Sequence, residues 1–202
     1  KGNNVSRYLL PENDYYIIYP YQMQDGKQNV LNENEFITNY PKTYKYLSKY
    51  KDFLIELRIK YKTNIDWYAF HRPREMRFLE SKKIITTHAS IKPNFTYSEN
   101  EYFNQNVYGI EVNDEYNIKY FLCLLNSNLT NFIIKNISSM INGGYYLYKS
   151  DYLSQIPIKI SKDQQPFIEK ADTMLSLNKT LQQQQTKVIN MLQRDYGLEK
   201  QT

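Results

Sequence analysis

Apolar and polar positions along the chain follow two different rhythms. The stretch DYYIIYPYQ over 14–22 is β-branched and aromatic and runs into QDGK at 24–27, which predicts a strand ending in a tight turn. From residue 32 to 62 the apolar spacing changes to three and four. ENEFITNYP predicts a short helix closed near Pro41, and YKYLSKYKDFLIELRIKY predicts one amphipathic helix through Tyr46, Leu47, Tyr50, Phe53, Leu54, Leu57 and Tyr61. IDWYAFHRPREMRF predicts a strand entering a basic, proline-containing loop. KIITTHASIKPNFTYS predicts two short strands joined through SIKPN, with Pro93 keeping Lys92 extended or in a turn. NVYGIEVN over 106–113 predicts another strand. EYNIKYFLCLLNSNLTNFIIKNIS has helical spacing interrupted at 126–128 and predicts two helices. The glycine pair in NGGYYLYK predicts a tight turn before a short strand, and IPIKI closes the globular part.

Beyond Ser161 the texture changes again. Residues 165–195 contain no glycine and only Pro166, which suits a first helical turn with Asp163 as the nearby cap. Phe167, Met174, Leu177, Leu181, Val188 and Met191 fall on heptad positions a and d, and Ile168, Ala171, Leu175 and Leu192 widen the stripe. One helix of roughly 45 Å is expected, ending before Gly197, with QQQQ at 182–185 as a polar interruption inside it. Such a helix exceeds what a small domain buries. Packing against another helix, another domain or a second copy through 165–195 is therefore expected.

Composition bounds the class. The chain has 202 residues, 41% hydrophobic and 23% charged, enough for a core, and its 6 glycines and 7 prolines exclude collagen-like and low-complexity proteins. No window approaches the roughly 18 unbroken apolar residues of a membrane span. KGNNVSRYLL lacks an apolar run followed by a small-residue cleavage site, so a cytoplasmic address away from membranes is expected. The net charge is +5, but residues 41–92 carry 13 basic and 5 acidic groups, against 3 and 5 in 1–40 and 10 and 11 in 93–202. The positive excess is thus confined to one stretch, interleaved with tyrosines, Trp67 and Phe70. That is the footprint of a surface for a polyanion, with nucleic acid as the leading partner. The plainer alternative is a solvated helix face bearing Lys42, Lys45, Lys49, Arg58, Lys60 and Lys62. The 21 tyrosines suit recognition surfaces, and AT-rich coding would also supply them.

Several chemistries lose support. There is no GxxxxGK[ST] loop, no GxGxxG after a strand, no HExxH and no CxxC, so nucleotide hydrolysis, dinucleotide redox chemistry and familiar zinc sites are not expected. Cys123, alone in YFLCLLN, reads as core. His71 and His88 are too few for most metal sites and read as polar surface or hydrogen-bonding residues, with phosphate or base contact open to them. Asp66 with Glu80 and Lys82 has the spacing of a D…ExK nuclease core, where two carboxylates hold Mg²⁺ and a lysine assists the attacking water. No proline precedes Asp66, and Arg77 and Lys82 interrupt the apolar strand such a core needs.

Taken in order, six segments resemble one family. KGNNVSRY (1–8) with the YYIIYPY strand, YPKTYKYLSKYKDFLIELR (40–58), WYAFHRPR (67–74), KKIITTHAS (82–90), FLCLLNSNLTNFII (121–134) and INGGYYLYKSDYLSQIPIKI (141–160) are similar to the TaqI-like C-terminal specificity domain. That is the DNA target-recognition domain of type IIG restriction-modification enzymes and related adenine-specific methyltransferases. PFIEKADTMLSLNKTLQ is similar to the spacer helix that follows recognition domains there and in type I specificity subunits. The resemblance implies a module that reads a short sequence in double-stranded DNA for a methyltransferase domain upstream on the same polypeptide, often with a nuclease. It implies S-adenosylmethionine as the cofactor of that methyltransferase and none in this chain. An NPPY-type tetrapeptide and a glycine-rich cofactor motif are missing, and the chain opens at a mid-motif KGN without an initiator Met. A non-catalytic C-terminal fragment is expected, one that grips the duplex from the side opposite the flipped adenine.

Within that expectation, Arg72, Arg74 and Arg77 offer bidentate forks to guanine, and Asn94 or Asn142 matches the edge of adenine. Ion pairing with Glu75 or Glu80 is the plainer alternative for Arg72 and Arg74. Lys82, Lys83, Lys92 and Lys149 are assigned to DNA, where arginines and lysines of the 71–92 loops neutralise phosphates. Thr86, Thr87, His88, Ser90 and Lys92 lie on an extended segment, so some face DNA and the rest face the protein. Gly143 and Gly144 permit close approach to DNA with Tyr145 or Tyr146 stacking; tight packing at a strand start is the alternative, and Tyr148 and Lys149 are within reach of the groove. The fold class expected is α+β, a mixed or antiparallel sheet with flanking helices and a long C-terminal helix, divided into a recognition domain over 1–161 and a spacer over 162–202. Competing readings are a protein-interaction module using the long helix, the Mg²⁺-dependent nuclease, and single-stranded RNA binding by exposed tyrosines.

Overall fold

An Asp-Gly pair with positive φ at both positions, 51° at Asp25 and 74° at Gly26, makes the two-residue turn whose twist matches an antiparallel hairpin. It joins β1 (Tyr21–Gln24) to β2 (Lys27–Val30), with Tyr21 opposite Val30. The computed structural model describes residues 5–11, 15–103 and 106–197. The chain divides into two compact units, Asp14–Ser81 and Lys1–Asn13 with Lys82–Thr202.

In the unit Asp14–Ser81 the turn is where the sequence predicts it, but the strand is not. Residues 15–20 form no strand, Asp14 lies outside the described residues, and β1 begins only at Tyr21. Tyr15 and Tyr16 are 87% and 98% exposed, and Pro20 has no amide proton for a ladder. Tyr19 and Tyr21 stack instead, with ring centroids 4.6 Å apart, and Tyr19 also packs on Phe70. The helical stretch breaks into three. Asn32 and Glu35 form a capping box at α1 (Glu33–Asn39), Pro41 sits in the first turn of α2 (Pro41–Ser48), and α3 (Lys51–Lys60) follows a break at Lys49 and Tyr50. At that break the amides of Lys49 and Tyr50 reach back three residues, to the Tyr46 and Leu47 carbonyls, and tighten the turn. Periodicity alone does not register such a kink.

WYAF is a turn rather than a strand, buried at Trp67, Tyr68 and Ala69 and exposed at Phe70, because its backbone is claimed elsewhere. The Arg58 guanidinium donates to the Trp67 and Ala69 carbonyls, and the Tyr21 hydroxyl accepts from the Phe70 amide at 2.8 Å. Phe36, Leu31, Trp67 and Tyr68 form the core of this unit, with Tyr44 and Tyr68 edge-on to Phe36. Glu33 accepts from the Trp67 indole at 2.9 Å and the Tyr44 hydroxyl at 2.7 Å, and these bonds hold its carboxyl below the usual range. The basic loop after Phe70 leads into α4 (Met76–Glu80).

The other unit holds two antiparallel three-stranded sheets. The first has the order β5 (Phe95–Ser98), β3 (Lys83–Thr87), β6 (Val107–Ile110). The second has the order β4 (Ala89–Ser90), β8 (Tyr145–Leu147), β7 (Met140–Ile141). Helices α5 (Ile118–Leu125) and α6 (Asn128–Ile137) break at 126–127 as their sequence predicts, capped by Asn117 and Ser127. A short α7 (Ser150–Leu153) precedes α8 (Gln165–Tyr196), which ends on Gly197 at φ 63°. Asp163 accepts from the Gln165 amide at 3.1 Å. The core gathers Ile84, Phe95, Leu122, Leu125, Ile134, Tyr148 and Ala171. Cys123 packs against it, and burial raises its thiol pKa. Near its start, α8 packs on α5 through Phe167 against Tyr120 and through the 2.5 Å ion pair of Lys119 with Asp172. Farther along, Leu177, Leu181, Val188, Met191 and Leu192 are exposed. The fold class is α+β with a long C-terminal helix, and among the described residues no helix is long and apolar enough to cross a membrane.

Candidate nucleic-acid interface

One residue joins the two sheets. Between β3 and β4, His88 donates its amide to the Asn106 carbonyl and accepts from the Tyr148 amide, both at 2.9 Å. The extended segment 83–90 thereby leaves one sheet and enters the other at His88, and the backbone holding the imidazole is fixed from both sides. Beneath it, Val5, Ile85 and Val107 make a small apolar cluster. Beside the switch lies an open cleft of about 300 Å³, lined by Val5, Thr87, His88, Ala89, Ser90, Asn94, Asn106 and Tyr145.

Each polar side chain reaches the cleft for a local reason. The His88 ring stacks on Tyr108, with centroids 5.8 Å apart. Asn94 donates its amide to the Val5 carbonyl at 2.9 Å, which orients the side chain. Tyr145 follows a loop in which Gly143 and Gly144 have φ of 80° and 75°, and a Cβ on Gly143 would come within 3.3 Å of the Tyr145 ring. Gly143 thus packs tightly on the Tyr145 ring, whereas Gly144 has open space around it and is required only for its positive φ. None of the eight lining residues is acidic. An imidazole, three hydroxyls and two amides provide both donors and acceptors, the combination needed to pair with base edges, and no carboxylate in the lining repels a phosphate.

Of the residues singled out from the sequence, Thr87, His88, Ser90, Asn94 and Tyr145 line this cleft. Asn142 is exposed in the loop before Tyr145, Lys92 is exposed in the loop between β4 and β5, Lys82 is exposed ahead of β3, and Lys149 is half-buried ahead of α7. Two others are withdrawn from any surface. Lys83 and Thr86 are fully buried and lie on opposite faces of β3, and desolvation lowers the pKa of the Lys83 ammonium, whose Nζ sits 5.9 Å from the Phe103 ring. Their burial corrects the expectation that they face DNA: β3 is the central strand of its sheet and residues 83–86 are covered on both faces. Tyr148 is buried as well.

Arg72, Arg74 and Arg77 belong to the unit Asp14–Ser81, Arg72 and Arg77 exposed and Arg74 half-buried. The Arg74 carbonyl accepts from Tyr19 and Gln28. Glu80 is the last residue of a helix and Lys82 precedes a strand, so the triplet does not lie along one strand as a D…ExK core requires. Among the described residues no cluster of histidine, cysteine and carboxylates has the arrangement of a metal site. The lining residues that sequence reasoning missed are Val5, Ala89 and Asn106. Only Asn106 left a signal, as the polar residue opening a β-branched strand.

Two family models match the chain. One, described as the TaqI-like C-terminal specificity domain, covers residues 1–158, and a second, a domain of unknown function (DUF8810), covers residues 160–202.

Proposed function

We propose that this chain, which belongs to the TaqI-like C-terminal specificity domain family and is thereby a DNA-specificity module of restriction-modification enzymes, reads a short duplex sequence through the His88 cleft. The observation that carries the reading is the cleft itself: donors and acceptors from both sheets converge on it with no acidic residue in its lining. His88, Ser90, Asn94, Asn142 and Tyr145 contact base edges. Lys82, Lys92 and Lys149 contact phosphates, and Arg72, Arg74 and Arg77 offer forks to guanine. The chain catalyses no reaction by itself. It acts for an adenine-specific methyltransferase domain, with S-adenosylmethionine as that domain's cofactor, in an enzyme of type IIG. The apolar stripe on the outer part of α8 is the seat for that domain and fixes the angle at which the cleft meets the duplex.

Counterion release gives the test. The three lysine contacts to phosphate predict that log affinity falls with log salt at a slope of about −2.7, which is roughly 40-fold weaker binding at 200 mM than at 50 mM. Anisotropy titration of a labelled mixed-sequence duplex measures the slope. No binding at 50 mM, or an affinity indifferent to salt, contradicts a DNA-reading role and favours a protein-interaction module built on α8.

A further inference from the structure

Met140 and Ile141, at the tip of the β7–β8 hairpin, are 65% and 43% exposed. Neighbouring residues of a strand point to opposite faces, so exposure of both means that each face of β7 reaches solvent, although Tyr146 opposite Met140 packs against the core. The pairing then separates their surroundings. Ile141 is opposite Tyr145 and Met140 is opposite Tyr146. Directly paired residues share a face, which places Ile141 with Tyr145, a residue of the cleft. Met140 shares its face with Tyr146, over whose ring the Lys135 ammonium sits at 5.8 Å. β8 is the central strand of its sheet and pairs with β4 through Tyr146 and Leu147, so only the Ile141–Tyr145 end extends past β4 as a short two-stranded ribbon, with Lys135 and Ser90 on the Met140–Tyr146 face and Ile141 beside Tyr145 on the other.

Such a ribbon fits a DNA major groove, where hydrogen-bonding atoms are one half of the code and the thymine C5 methyl is the only apolar element. We propose that Ile141 is a specificity-determining residue that contacts a thymine methyl while the adjoining cleft contacts the hydrogen-bonding edges. The occupant of this exposed apolar surface is therefore duplex DNA. Ile141 is the direct cross-strand neighbour of Tyr145, which lines the cleft, and the cation beside the ribbon's other face suits an anionic backbone. The inference rests on the cleft being the DNA-reading surface.

The test separates the two. The full chain selects duplexes from a randomised 20-base-pair library, and the enriched duplex is remade with uracil replacing each thymine in turn, which removes only the methyl. The expected result is one thymine whose replacement weakens wild-type binding about 5- to 10-fold, the size of a lost apolar contact, and has no effect on Ile141→Ala. Tyr145→Phe retains the uracil effect, because its ring and the hairpin remain. An enriched duplex in which every uracil is tolerated, or an Ile141→Ala chain that keeps the same uracil sensitivity, overturns the Ile141 assignment and leaves the cleft reading intact. Failure to enrich any sequence overturns the cleft reading itself.

Discussion

The Asn126→Ala chain is expected to unfold about 5–15 °C below the wild type, the midpoint change that a loss of about 2–4 kcal/mol produces in a unit of this size. Asn126 stands at the corner between α5 and α6 and is almost fully buried. Its side chain copies the pairing of a strand edge, accepting from the Phe95 amide at 3.1 Å and donating to the Phe95 carbonyl at 2.9 Å. The same carbonyl also accepts from the Tyr8 amide, and Asn126 donates to the Leu122 carbonyl at 3.2 Å. Alanine leaves the Phe95 amide buried without its partner and opens a small void, and both effects destabilise. Phe95 follows Asn94, which lines the cleft, so the loss loosens the cleft wall as well. Thermal unfolding followed by circular dichroism measures the change. A midpoint within 2 °C of wild type would show that water or a backbone shift replaces the clamp.

The second large effect falls on selectivity. In the doubly substituted chain His88→Ala, Tyr145→Ala, the ratio of affinities for the enriched duplex and for a scrambled one is expected to fall about 30-fold or more, since each of the two base-edge contacts contributes at least about 1 kcal/mol of discrimination. The salt slope stays unchanged, because neither residue neutralises a phosphate. Lys92→Ala with Lys149→Ala does the reverse: binding weakens to both duplexes alike and the slope flattens by about two. Competition anisotropy at fixed salt distinguishes the two patterns. A ratio that survives loss of His88 and Tyr145 places base readout elsewhere on the molecule. Both substituted side chains reach the open cleft, so the fold is expected to tolerate the change, and an unchanged melting midpoint checks this.

Local signals carried much of this architecture and none of its assembly. Asp25-Gly26 announced its hairpin because only a few residues accept two consecutive positive φ angles, and the break at 126–127 was readable because Asn and Ser end one helix and cap the next. The strand expected at 14–22 failed because β propensity measures a fit to a half-buried ladder, and no partner strand is supplied there. WYAF failed for a non-local reason, since its backbone groups are taken by Arg58 and Tyr21 from distant parts of the chain. At the cleft, the segment 82–94 and the glycine-flanked Tyr145 were legible, but which part of an extended segment is covered depends on its neighbours in the sheet. Lys83 and Thr86 were indistinguishable from His88 and Ser90 until β3 was paired on both edges and proved to be a central strand buried on both faces.

Whether the cleft at the sheet switch is the surface that meets DNA is decided by mapping backbone amide chemical shifts of the isotope-labelled chain while a duplex is titrated in. The expected perturbations cluster at 87–94 and 141–145, on both sides of His88, with little change along the outer half of α8. Perturbations confined to α8, or spread over the surface without a focus at these two segments, would contradict it.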